Sequence, residues 1–554
     1  MIFPRADDLQ RVRAGPVVVE GAREVTNSVA TDDDSRWRNH FDLCRRRGRT
    51  VLLEKATGQR SVFATFEDAK RSARERADEL VRRQLSVGRR PLDGLDVDLA
   101  ARFALYETHR FCIRLPAEAS LLEEDGTPRR EFDADTLAFF VHEYTHFRHN
   151  VSTVAGWAAY ELMLQLLSVF THALDDTGRC DVDRLDEQQR ADAAVTARAL
   201  FLLEGARCLP PRPSPAVKLR VLSIASRAEE IRGVPFAVRD VHWEITRRDG
   251  TIEEIALPVG ALLIEEGVAY LLETAVRWGK LAFDDNWTLV GGAPLFPYLA
   301  FQVLCRARAP SISPLAALRA GLLALNFNRP GEALIRTLDY YRTLRDQGCD
   351  DETACEKMRA TIAPSLAEMS VRAREEGVAG LARLFEGRGL LHDGSKQVQQ
   401  WFTEGLAARE ADIWFDLAWC SGAKLDPDAL SAMIRTTTSC DVIQERFGDP
   451  RAIARDALIS FSEKRKDPQD RTLGGVRALQ AQLDFLLGHL TINGITSTPL
   501  SGHRPCPYFS VCLLDMRRDA PDTCEHHASR LWTRDPTCWY GAAVAGSLGK
   551  VARV

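Results

Sequence analysis

Phe139-Phe140-Val141-His142-Glu143-Tyr144-Thr145-His146 is the stretch from which the rest of this 554-residue chain is best read. Its apolar residues, with Leu137 and Ala138 before them, predict a helix. Residues four apart on a helix share a face, so His142 and His146 can grip one metal ion. Glu143, one residue further round, then reaches a water on that ion. The pattern is HExxH, and the whole chain holds only 12 histidines from which to build it. Histidines on an apolar helix need a hydrogen-bond partner or a metal, because burying a polar group without either is costly. The other reading of the same residues is a pair of hydrogen-bonded core histidines beside an exposed glutamate.

Working outward, Phe111-Cys112-Ile113-Arg114-Leu115 alternates like a strand. An exposed edge there could pair with an extended peptide. Asp125 to Arg130 reads as a turn or loop, and Asp133 and Asp135 offer N-caps for the helix that follows. The helix is expected to continue through Trp157, Leu162, Met163 and Leu166. His149 lies near the face of His142, but seven residues at a rise of 1.5 Å place it about 10.5 Å further along. Zinc–nitrogen bonds near 2 Å do not span that distance while keeping His146 in a tetrahedral site, so His149 is expected to be structural.

A third ligand must therefore come from elsewhere. The segment Ala261-Leu262-Leu263-Ile264-Glu265-Glu266-Gly267-Val268-Ala269-Tyr270 supplies an EGxA pattern 120 residues after His146. HExxH followed by such a helix resembles the gluzincin metallopeptidases. The resemblance covers these two motifs and implies a zinc ion held by His142, His146 and Glu266, with Glu143 as the general base. Gly267 would let the second helix approach a neighbour closely. Tyr270 stands where the thermolysin-type pattern has an aspartate, which leaves Glu273 as the candidate carboxylate behind the ligands. Gluzincins often stabilise the oxyanion with a tyrosine or histidine, and Tyr270 and His242 are the candidates for that role. Two alternatives stay open. Glu266, Glu273, Arg277 and Lys280 fall within one arc, as a solvated stripe would. EEGVA also recurs at Glu375-Glu376-Gly377-Val378-Ala379, which makes Glu376 a rival ligand.

Hydrophobic content of 45%, charged content of 27% and a net charge of −5 are those of an ordinary soluble protein and give no drive toward nucleic acid or anionic membrane. The run Arg45-Arg46-Arg47-Gly48-Arg49 reads as a solvated loop. The start of the chain shows no long apolar stretch of a secretory signal, and the apolar windows Val151 to Leu174 and Trp287 to Cys305 read as buried segments, so a cytoplasmic location is expected. Thirteen cysteines in that setting suggest thiols and metal ligands before disulfides. Cys506, Cys512, Cys524 and Cys538 crowd into the last 49 residues among turn formers. They are a possible second metal site, for zinc or an iron–sulfur cluster, or else buried free thiols.

These readings combine into an α+β, predominantly helical protein with a zincin-like metallopeptidase core. A mixed N-terminal region (1–115) with a hairpin at Thr50 to Ala64 and a charged helix at about 67–85 precedes the catalytic domain (116–345). Within that domain, Val241 to Ile245 and Thr251 to Leu257 form a hairpin about Asp249-Gly250 that leads into the Glu266 helix. A helical domain (346–495) and the Cys-rich tail (496–554) complete the chain. The expected activity is zinc-dependent hydrolysis of a peptide or protein substrate. Restraint by a regulatory partner, or by residues 346–554, is expected for an intracellular protease. The alternative is an inactive, metal-stabilised interaction protein.

Overall fold

The computed structural model of the chain describes residues 25–26, 41–46, 49–54, 60–63, 105–107, 111–115, 119–121, 129, 132–206, 216–231, 234–283, 295–373, 375, 385–420, 441–444, 458–460, 471–497, 506, 508–509, 512, 521–526 and 538–548. Strands β1 (Val25–Thr26), β2 (Phe41–Arg46), β3 (Arg49–Glu54), β4 (Arg60–Phe63), β5 (Leu105–Glu107) and β6 (Cys112–Leu115) come first. Helices α1 (Ala134–Ser152), α2 (Val154–Ala173) and α3 (Glu187–Glu204) follow, then strands β7 (Ala216–Ile231), β8 (Val234–Arg247) and β9 (Ile252–Val259). A run of helices comes next: α4 (Ala261–Trp278), α5 (Ala300–Arg308), α6 (Pro314–Ala324), α7 (Pro330–Asp346), α8 (Asp351–Arg372) and α9 (Leu390–Ala411). Strands β10 (Asp441–Gln444) and β11 (Leu458–Ser460), helix α10 (Arg471–His489), strands β12 (Leu490–Thr491) and β13 (Gly494–Ile495), and helices α11 (Pro521–His526) and α12 (Trp539–Ser547) close the order. The described residues are predominantly helical with small sheets, as the α+β expectation requires. The charged helix expected at 67–85 and the loop at 125–128 lie outside them. The hairpin at Thr50 is the β3–β4 pair, and β2 extends it to three strands. Arg45 and Arg46 belong to β2 and Arg49 to β3, so the arginine run is largely strand.

The helix expected to run from Asp133 through Leu166 is two helices. Asp133 caps the first, its carboxylate accepting the Thr136 N–H at 2.7 Å. Thr153 ends it with extended backbone (φ −111°, ψ 155°) and starts the next. Its hydroxyl donates to the His149 carbonyl at 2.7 Å and accepts the Gly156 N–H at 3.0 Å. One threonine thus satisfies orphan groups of both helices. A Cβ on Gly156 would sit 2.3 Å from the Asn150 carbonyl oxygen, so this corner admits only glycine. Among the described helices α2 is long and apolar enough to cross a membrane, but most of it is buried in the protein.

The interval between the two sequence motifs is filled by α2, α3 and an antiparallel sheet of order β1-β7-β8-β9. Strands β8 and β9 turn at Gly250 (φ 85°), as Asp249-Gly250 predicts. Val241, Trp243 and Ile245 point into the core and His242 and Glu244 are half-buried on the opposite face. Strand β9 feeds α4 through Gly260, whose Cβ would meet the Glu204 backbone at 2.4 Å. Backbone-to-backbone contact at the end of α3 therefore fixes where α4 begins. The second sheet has order β11-β10-β6-β5, with β10 parallel to β6. This corrects the reading of Phe111 to Leu115 as an exposed edge for a peptide: β6 is an inner strand and Phe111 and Ile113 are fully buried.

One hydrophobic core runs from Phe111 to Val544. Helix α9 packs on α1, α10 on α2 and α9, and α12 on α10. The described parts of 116–345, 346–495 and 496–554 thus share one interior.

Candidate metal centre

Helix α1 is buried on nearly all sides. His142 is 4% exposed, Glu143 4% and His146 7%. Helix α4 lies against it and brings Glu266 to the histidine pair. The Glu266 Oε2 atom is 3.2 Å from Nε2 of His142 and 3.2 Å from Nε2 of His146. The two Nε2 atoms are 3.1 Å apart. Three ligands held at about 2.0 Å by one ion in tetrahedral geometry stand about 3.3 Å from one another. The three donor atoms therefore already form the base of such a tetrahedron. Among the described residues this is the one group of donors gathered so tightly.

The surroundings favour a cation there. Burial alone would lower both histidines. Hydrogen bonding to Glu266 and Glu273, with the charges of Glu273 and Glu143, outweighs it and raises His142 well above the usual value. His146 is likewise raised, against burial, by the charge and hydrogen bond of Glu266. Glu266 moves the opposite way: burial would raise it, but the charge of His146 and hydrogen bonds from both imidazoles pull it far down. The field that holds protons on these rings would equally favour a dication.

Behind the donors, Glu273 Oε2 lies 2.8 Å from Nδ1 of His142. Arg277 holds the other Glu273 oxygen at 3.0 Å and reaches Asp135 in the first turn of α1 at 2.7 Å. The chain His142–Glu273–Arg277–Asp135 clasps α1 to α4 twice. The arc of Glu266, Glu273 and Arg277 is therefore not a solvated stripe. Their side chains are 19%, 5% and 6% exposed and face α1, with Lys280 alone exposed at the end. Asp135, read as a cap, is instead this anchor. Of the adjacent glutamates only Glu266 joins the donors. Glu265 is buried near Glu204, and burial with those neighbouring acidic charges pushes it up to about 8.

Gly267 is required by packing. A Cβ there would fall 2.1 Å from Cβ of Phe301, so α4 and α5 touch closely at the residue after the ligand. Glu376 lies outside the described residues, and its neighbour Glu375 is exposed. His149 is fully buried and takes no part in the donor group. Its Nε2 is 3.7 Å from Asp416, and burial lowers it to about 4. Asp416 also binds Arg148 at 3.2 Å and Arg409 at 2.5 Å, while the Phe415 ring lies under both guanidiniums.

The sequence reading missed Tyr298. It sits in a short turn, Leu295–Leu299, ahead of α5, with its ring centroid 5.4 Å from that of His142. Its hydroxyl is hydrogen-bonded to Glu266. Burial raises it well above the normal tyrosine value, and the charges of Glu266, Glu143 and Glu273 add to the effect, so it stays a neutral donor. Tyr270 is 1% exposed and packs its ring against Tyr298 at 5.8 Å. His242 sits in the middle of β8, in register with Ser223 and Ala256. No spacing rule ties a tyrosine 32 residues past Glu266 to the motif; only its company of Phe296 and Pro297 marks the segment as buried.

No family model matches the chain, and neither a curated protein nor a solved structure matches it. The functional argument therefore rests on the motifs and on this geometry.

Proposed function

We propose that the chain is a zinc-dependent peptidase of gluzincin-like chemistry. The observation that carries this reading is the triangle of His142, His146 and Glu266 donor atoms, with edges of 3.1–3.2 Å, beside a buried Glu143. Two imidazoles and one carboxylate with a fourth position free is the donor set of catalytic zinc sites. Zinc, when bound, supplies Lewis acidity toward a carbonyl and its attacking water. The residues divide the remaining tasks. Glu143 takes the proton from the attacking water and delivers it to the leaving amine. Tyr298, kept protonated, donates a hydrogen bond to the oxyanion as the carbonyl becomes tetrahedral. Glu273 fixes the ring of His142 and raises its basicity as a donor.

The competing reading, a metal-stabilised interaction protein, uses the same ligands. It leaves Glu143 and Tyr298, both gathered at the open side of the triangle, without a task. The deciding experiment compares wild type with Glu143→Gln on a peptide library, with zinc measured in both. The expected result is full zinc content and a loss of hydrolysis of about 10²–10⁴-fold. Unchanged cleavage by the zinc-loaded variant would sink the mechanism. Absence of cleavage by zinc-loaded wild type would favour the interaction protein.

A further inference from the structure

The peptidase reading does not use the C-terminal cysteines. Cys506, Cys512, Cys524 and Cys538 come from four separate turns and helices, yet all are buried, at 5–8% exposure. Cys506 lies within electrostatic reach of each of the other three. None of them is in a disulfide. Free cysteines that merely fill a core have no reason to converge; Cys112, Cys180, Cys305 and Cys355 are buried elsewhere in the core, outside this group.

The backbone around the group is arranged for thiolates. Residues 506–509 form a tight turn, with the Phe509 N–H on the Cys506 carbonyl at 2.9 Å. In the same turn the Tyr508 N–H is hydrogen-bonded to the Cys506 sulfur. The Cys506 N–H bonds the Cys524 carbonyl at 2.9 Å, which ties two of the cysteine segments together. Cys538 is the N-cap of α12, where the helix end carries partial positive charge. Trp539 packs edge-on against Tyr508 at 5.1 Å and roofs the group, with Arg477 of α10 over its ring.

The size of the cage distinguishes what it holds. Zinc draws four sulfurs to about 3.8 Å from one another, since each sits about 2.3 Å from a single ion. Among the described residues, the tight donor group is the His142–His146–Glu266 set, within 4.8 Å; the thiols do not form a second one. An iron–sulfur cluster spreads its thiolates over several irons and so takes a wider set. The sequence spacing also lacks the short C-x₂₋₄-C pair usual in zinc knuckles, with five residues in the shortest gap. We propose that Cys506, Cys512, Cys524 and Cys538 hold an iron–sulfur cluster that fastens the C-terminal segment to α10.

The test is full-length protein purified without oxygen, assayed for iron, acid-labile sulfide and zinc, with a Mössbauer spectrum of the iron. Cys506→Ala and Cys538→Ala are compared with Cys355→Ala and with His146→Ala. The expected outcome is brown protein absorbing near about 400 nm, with iron and sulfide in equal amounts. Both tail variants lose most of the iron and sulfide, while Cys355→Ala and His146→Ala keep them. Zinc without sulfide at these cysteines would overturn the proposal. So would a metal-free tail that takes up no cluster when iron and sulfide are supplied under reducing conditions. Where the tail variants fail to fold, the wild-type Mössbauer spectrum and sulfide content decide the matter alone. Because His146→Ala removes the other site, failure here leaves the peptidase reading untouched.

Discussion

Tyr298 is the residue on which the proposed chemistry most depends after Glu143. Its hydroxyl touches Glu266 and three carboxylates keep it protonated. Tyr298→Phe removes one oxygen from a packed ring, so the fold and the zinc content should survive. The expected loss is about 10²–10³-fold in kcat, with little change in KM, measured by steady-state kinetics on the best peptide found. An equal loss for Tyr270→Phe with none for Tyr298→Phe would return the role to Tyr270. At this scale the sequence was informative where chemistry is local. His142, Glu143 and His146 follow from helical spacing, and Glu266 and Glu273 from a second helix of matching pattern. Tyr298 was illegible because it arrives from a turn whose position is set by the packing of Phe296 against Trp243, not by any motif.

At the scale of elements, two contacts hold α1 and α4 in register. Gly267 lets α4 press against Phe301, and Gly267→Ala forces one of them to move. Overpacking of this kind costs about 1–3 kcal/mol, which a urea melt would detect. Gly267→Ala with Phe301→Leu should recover part of that loss; no recovery would mean the strain lies elsewhere. At the other end of α1, Asp416 sits between Arg148 and Arg409 beneath a buried helix end. Breaking such a buried group with Asp416→Asn should cost about 3–5 kcal/mol. Burial would raise the Asp416 carboxyl, but Arg409 and Arg148 hold it well below the value of about 3.9 that it has unfolded. A carboxyl depressed in this way adds stability above its unfolded pKa and loses it as pH falls toward the folded one. The gap in melting temperature between wild type and Asp416→Asn should hold from neutral pH to about pH 5 and close below about pH 4. A gap independent of pH would show that Asp416 acts by shape and not by charge. The helix break at Thr153 belongs here too. Threonine caps both neighbours through one hydroxyl, but a Ser-Thr pair amid apolar residues reads equally well as helix interior.

The whole molecule was the least legible from sequence. Strand β10 pairs in parallel with β6 across more than 300 residues, and nothing local in either strand names the other. The alternation at Val241 and the turn at Gly250 gave the β8–β9 hairpin, whereas the 16-residue β7 lies in polar, alternating sequence without turn signals of its own. The segments that read as a catalytic domain and a helical domain share one core. Removing residues 346–554 should therefore strip α9 and α10 from α1 and α2 and unfold the remainder, not release an inhibited enzyme. Near-ultraviolet circular dichroism of residues 1–345 should show no fixed aromatic packing; a folded, zinc-binding fragment would contradict this. The clasp of Arg409 and Asp416 on Arg148 has a consequence for the timing of synthesis. The helix bearing both histidines leaves the ribosome early, but the residues that grip its end emerge more than 250 positions later. A nascent or prematurely terminated chain thus carries the motif without its mould. A protein whose proposed activity would endanger its neighbours stays harmless until its translation is nearly complete.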